Sequence, residues 1–172
     1  VAEKKVIVNE RFFDQPPGTD ASDTKGQYFA GIPKQLAIGL NESTQILGGY
    51  QTLPAGDSDF RYNFGFVETT GSSARIRVTV LDALGGELGS REYTISAYSQ
   101  LQYAFRDHFP DLDCENARLR AEVISGSGRV IAYGTGIANG SQDPTTFEMA
   151  MTLPSTASRR RWRAPGSPRR GW

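Results

Sequence analysis

Asp111-Leu112-Asp113-Cys114-Glu115-Asn116 sets three carboxylates at alternate positions in one short stretch. Hard cations such as Ca²⁺ take several oxygen ligands, and alternating acids in a loop can turn toward one point. Asp111, Asp113 and Glu115 are therefore the candidate metal ligands, and calcium is the one cofactor the residues suggest. Glu122 falls at the twelfth place of an EF-hand count that starts at Asp111. Asn116, however, stands where the turn glycine belongs, and Leu119-Arg120-Ala121-Glu122-Val123 alternates like a strand. A solvated acidic loop accounts for the same residues without a metal. Asp57-Ser58-Asp59 offers a second set of oxygens, behind the turn-forming Pro54-Ala55-Gly56.

His108 and Cys114 are the only histidine and the only cysteine. That excludes an internal disulfide and every multi-cysteine zinc pattern. The two lie close enough in sequence to form a nucleophile–base pair, and a serine hydrolase would also need His108 as its base. The chain has no Gly-x-Ser-x-Gly elbow. A lone cysteine is more often a small apolar filler. No catalytic residue is assigned, with His108 and Cys114 the candidates for an alternative small hydrolase, Ca²⁺-assisted in one version, centred on Asp107–Glu115.

Tyr98 and Tyr103, with Phe105 and the amides of Gln100 and Gln102, could present flat faces to a sugar ring. The same aromatics serve equally as cover for an open end of a core. A carbohydrate-binding module is thus a second alternative, with Tyr98 and Tyr103 as its ligand-binding candidates. Gly134, Gly136 and Gly140 have the wrong spacing for a phosphate loop and no helix after them. Asn41-Glu42-Ser43 and Asn139-Gly140-Ser141 are glycosylation triplets.

The segments that must position these residues alternate with period two. In Phe60-Arg61-Tyr62-Asn63-Phe64-Gly65-Phe66 the aromatic side chains share one face. Similar runs cover 4–13, 26–32, 44–53, 74–83, 87–97, 117–124, 129–137 and 144–153. Gly48-Gly49 marks a bulge or a close backbone approach. Ser125-Gly126-Ser127-Gly128 reads as a hairpin turn. Leu101, Phe105 and Phe109 recur every four residues, which predicts one short helix near 99–109, ended by Pro110. The fold class is all-β, an antiparallel two-sheet β-sandwich, Ig-like or jelly-roll-like.

At 172 residues the chain fits one domain, large enough to hide roughly 70% of its unfolded surface. Its zero net charge conceals a split. Of 19 basic residues six lie in 159–172, leaving 13 against 19 acids in 1–158, a net of −6. The expected division is one sandwich domain over 1–154 and a disordered Arg-rich tail over 155–172. Nucleic acid would have to be held by Arg159, Arg160, Arg161 and Arg163 alone, and an acidic body argues against it. No apolar run approaches the roughly 20 residues of a membrane span.

Phe60-Arg61-Tyr62-Asn63-Phe64-Gly65-Phe66-Val67, Val78-Thr79-Val80-Leu81-Asp82 before a Gly-Gly turn, Val130-Ile131-Ala132-Tyr133 and Gly140-Ser141-Gln142-Asp143-Pro144-Thr145 carry a resemblance. Over about residues 60–147 the chain resembles uncharacterised β-sandwich modules of secreted or surface bacterial proteins. The resemblance implies an extracytoplasmic, non-catalytic binding or assembly module. Its partners would be a second copy, another extracellular protein or a glycan, with no membrane insertion.

Overall fold

The computed structural model describes residues 8–151 apart from 21 and 23. The start of the first expected strand at Lys4, and the tail with Arg159, Arg160, Arg161 and Arg163, lie outside the described residues. Ten strands are present among them: β1 Asn9–Asp14, β2 Lys25–Ala30, β3 Ser43–Gln51, β4 Phe60–Glu68, β5 Ala74–Leu81, β6 Glu87–Ile95, β7 Gln100–Ala104, β8 Cys114–Gly126, β9 Val130–Ala138 and β10 Pro144–Glu148. One turn of α-helix, α1, covers Phe105–His108, and 3-10 turns cover Lys34–Leu36 and Ala55–Asp57. No described helix is long and apolar enough to cross a membrane.

Two four-stranded antiparallel sheets, ordered β10-β9-β4-β7 and β3-β8-β5-β6, face each other across the core. Alternation decides which side chains enter it. Tyr62, Phe64 and Phe66 of β4 and Val130 and Ala132 of β9 meet Ile76, Val78 and Val80 of β5 and Leu119, Ala121 and Val123 of β8, all buried. Burying such a side chain contributes roughly 1.5–3 kcal/mol, which sets the register of every central strand. The all-β sandwich expected from the sequence is the fold observed.

Two local expectations change. The Ser125–Gly128 segment does not close a hairpin, because β8 and β9 belong to opposite sheets. It is a crossover, and its glycines serve close packing. A Cβ on Gly126 (φ +91°) would stand 2.4 Å from the Ser73 carbonyl oxygen, and one on Gly128 2.3 Å from that of Ser72. The helix expected near 99–109 is confined to Phe105–His108, and Gln100–Ala104 is an edge strand paired with β4. Leu101 and Tyr103 also alternate with Gln100 and Gln102, and the ladder to β4 takes that pattern over the four-residue one.

Glu68 ties one end of the sandwich together. Its carboxylate is buried and accepts the Thr70 N–H (2.8 Å) and hydroxyl (2.5 Å), and the N–H groups of Gly71 (2.8 Å), Tyr98 (3.0 Å) and Arg129 (3.2 Å). These donors come from the β4–β5, β6–β7 and β8–β9 connections, each of which carries the chain from one sheet to the other. Burial alone would push this carboxyl up, but the donors from Thr70, Tyr98 and Gly71 outweigh it and hold it at about 2.

The β1–β2 ribbon lies outside the sandwich, against the outer face of the β10-β9-β4-β7 sheet. Phe29 meets the edge of Tyr133 at 6.1 Å, the Gln27 amide donates to the Thr135 hydroxyl at 2.7 Å, and the Thr146 hydroxyl donates to the Tyr28 carbonyl at 2.6 Å. A lone two-stranded ribbon is marginal in water, so these contacts account for its holding there.

Candidate functional site

The residues singled out for chemistry are dispersed. Asp111 and Asp113 are exposed in the turn before β8, and Glu115 is exposed on the strand itself. Cys114, between Asp113 and Glu115, points inward, as strand alternation requires. Among the described residues no group of three or more His, Cys, Asp or Glu side chains gathers where it could hold a metal ion.

His108 ends α1 with its ring at 4.6 Å from Tyr103, 5.4 Å from Tyr93 and 6.1 Å from Phe64. Its Nδ1 lies 3.2 Å from the Tyr93 hydroxyl. Burial and the nearby Arg91 lower its pKa, with Asp107 pulling the other way. Burial also drives the Tyr93 hydroxyl to about 12 and raises the Cys114 thiol, so this cysteine is a thiol and not a thiolate at neutral pH. No hydrogen bond joins Asp107, His108, Cys114 and Glu115 to one another among the described residues. The histidine is part of an aromatic cluster that fills the gap between β6 and β7.

Tyr98 and Tyr103 do not share a platform. Tyr98 sits at φ +52° in the β6–β7 crossover with its ring across Gly71, and it is largely exposed. Tyr103 turns inward against Tyr93, ring centroids 4.7 Å apart. Gly134 and Gly136 lie within β9 beneath the Tyr62 and Phe147 rings and bind no anion loop.

A different place collects polar and aromatic groups. Where β3 ends and β4 begins, a cavity of about 230 Å³ is lined by Tyr50, Ser58, Phe60, Arg61, Asn63 and Arg106, among others. A second space of about 420 Å³ adjoins it, sharing Tyr50, Phe60, Arg61 and Tyr62. Strand β4 brings Phe60 to the mouth. By parity this ring belongs to the core face, yet it overhangs the end of the sandwich and stays 49% exposed. Tyr50 of β3 meets it edge-on at 5.7 Å and 81°.

Arg61 is anchored by neutral groups. It donates to the Asn139 side-chain oxygen at 2.7 Å and to that of Gln142 at 2.8 Å, while the Asn139 amide donates to the Ser58 carbonyl at 2.6 Å. Asn139, part of a glycosylation triplet in sequence, thus fixes the arginine and the 58 loop together. Arg106 enters from α1 because Ala104 pairs with Asn63 at the end of β7. Its acidic neighbour Asp107 is 3.7 Å away and both are more than half exposed, a weak surface pair. Ser58 is 5% exposed and its Oγ is buried without a hydrogen-bond partner. No Asp, Glu, His or Cys lines the inner cavity.

Fold and cleft together define the class: an antiparallel β-sandwich with a cationic, aromatic-walled cleft at one end. No family model matches the chain, and no curated protein does. A solved structure of Thermotoga maritima protein 1070 is similar at 17% identity and a TM-score of 0.48, over 66% of this chain and 98% of that one. A likeness at that level carries no argument about function.

Proposed function

We propose that this chain is a non-catalytic binding module whose ligand sits in the end cleft beside β3 and β4. One observation carries the reading: the cleft offers two guanidinium groups, the Asn63 amide and two aromatic rings. It has no carboxylate, imidazole or thiol in its inner part. Such a set can orient and hold a molecule, but it lacks a general acid or base to transform one. Likeness to modules of secreted and surface bacterial proteins supports placing its work outside the cytoplasm.

The test is a side-chain NMR titration of the isotope-labelled protein with a panel of sugars, amino acids and short peptides. Shifts gathering at Arg61, Asn63, Arg106 and Phe60 support the reading. Shifts confined to other surfaces, or turnover of ester or glycoside substrates by the same sample, overturn it.

A further inference from the structure

We infer that the end cleft selects a ring-shaped ligand bearing a single anionic group, an acidic sugar residue whose charge is a carboxylate or a sulfate ester. This rests on the proposed binding role of the same cleft and adds its ligand class. Arg61 and Arg106 line one small cavity, and neither charge is neutralised by close contact. Arg61 spends two donors on the neutral oxygens of Asn139 and Gln142. Arg106 has only the solvent-screened pair with Asp107. No carboxylate lines this inner cavity, while Asp143 lines the adjoining space that shares Arg61 with it. Two guanidinium groups lining one cavity whose own wall holds no acid match one planar or tetrahedral oxyanion, which they bind by charge-assisted hydrogen bonds.

The rest of the cleft defines what carries that anion. Phe60 is half exposed at the cleft and packs perpendicular to the Tyr50 ring, which leaves part of its aromatic surface open to a ligand. Flat aromatic faces suit the C–H side of a pyranose. Asn63 supplies polar contacts for ring hydroxyls. The two adjoining spaces of about 230 and 420 Å³ accommodate a short saccharide, within the roughly 300–1,000 Å³ usual for ligand sites. The charge of the body, as distinct from the zero net charge of the whole chain, bears on the number of anions. The net of −6 over residues 1–158 repels a dense polyanion at long range, so a local pair of arginines favours one anionic group over a charged polymer.

Calorimetric titrations of the whole chain with galacturonate, galactose 6-sulfate and neutral galactose, each acidic probe bearing one anionic group, test this. Arg106→Gln and Phe60→Ser serve as variants, and thermal melts show that each is folded. Binding of galacturonate or the sulfated sugar, at least tenfold tighter than galactose and weakened about tenfold by Arg106→Gln, is the expected result. Which of the two acidic probes binds tells carboxylate from sulfate. Equal binding of acidic and neutral sugars, or an affinity indifferent to both substitutions, overturns the inference. Silence of both acidic probes at millimolar concentration overturns it as well. If galactose alone binds and shifts the cleft resonances, the anion selectivity fails while the binding role stands. If nothing tried shifts those resonances, both fail.

Discussion

Gly134 lies directly beneath the hydroxyl of Tyr62. A Cβ on this glycine would stand 1.9 Å from that oxygen and 2.7 Å from the ring carbon bearing it. The Tyr62 hydroxyl in turn donates to the Leu47 carbonyl at 2.8 Å, so the ring bridges from β4 and β9 to β3 in the opposite sheet. The missing side chain on β9 is what lets this polar link run through the core beside the cleft.

Gly134→Ala is therefore expected to destabilise by about 1–3 kcal/mol, the range for overpacking a core. Tyr62→Phe alone loses one hydrogen bond and leaves the Leu47 carbonyl without it, about 1 kcal/mol. In the double variant the atom closest to the new methyl is gone. The two costs then add to more than the double variant shows, by roughly 1 kcal/mol. Urea unfolding of the four proteins measures this coupling, and strict additivity would contradict the geometry.

Glu68 yields a prediction with a definite pH window. Its folded carboxyl is held at about 2, below the ordinary 4.5, so the fold binds fewer protons than the unfolded chain between those values. The stabilisation is full above 4.5 and fades as pH falls toward 2. Glu68→Gln keeps the volume but sets an NH₂ group against backbone N–H donors. On the order of 3 kcal/mol should be lost at pH 7. Urea midpoints of the two proteins at pH 7 and pH 3 should draw together at the lower value; a constant gap would refute this account.

The sequence shows Glu68 only as the last residue of an aromatic strand, because, the Thr70 hydroxyl apart, its partners at 70, 71, 98 and 129 are backbone N–H groups that any residue would supply. Alternation tells which face of a strand is buried but not which sheet the strand joins. That is why β4 to β6 and β8 to β10 were legible while the Ser125–Gly128 crossover reads as a hairpin. Gly48-Gly49 was informative, since the β3–β8 register shifts on both sides of Gly49. The cleft was the least legible part. Arg61 and Arg106 meet only because β7 pairs with β4 in one register, and Phe60 follows the core parity while overhanging its end. The one local signal was Arg61 beside the aromatic that opens β4, since its anchors Asn139 and Gln142 lie 78 and 81 residues away.

His108 should titrate below the ordinary 6.5, because burial and Arg91 favour its neutral form. Across that window the unfolded chain binds the extra proton, so stability rises with pH and is complete above 6.5. Asp107→Asn removes the carboxylate that opposes the shift and should move the midpoint further down, whereas Arg91→Gln should move it up. The imidazole proton resonance followed by NMR across pH 4–8 reads all three. A midpoint above 6.5 in the native protein would mean that the ring is paired with an acid and would reopen the hydrolase reading.

Cys114 makes the complementary case. Its side chain is buried on the inner face of β8 and its thiol is raised by that burial, with the Gln51 backbone only partly offsetting it. Both effects suppress thiolate, the form that reacts. Iodoacetamide at pH 8 should modify the native chain at least about tenfold more slowly than the urea-unfolded chain. The native rate should climb with subdenaturing urea as opening exposes the strand. Cys114→Ala should cost about 1–2 kcal/mol, as expected for removing a small buried side chain, and leave ligand binding at the end cleft unchanged. A native thiol that reacts as fast as the unfolded one would place Cys114 in an accessible, activated setting, which is the setting a nucleophile needs and a core filler does not have.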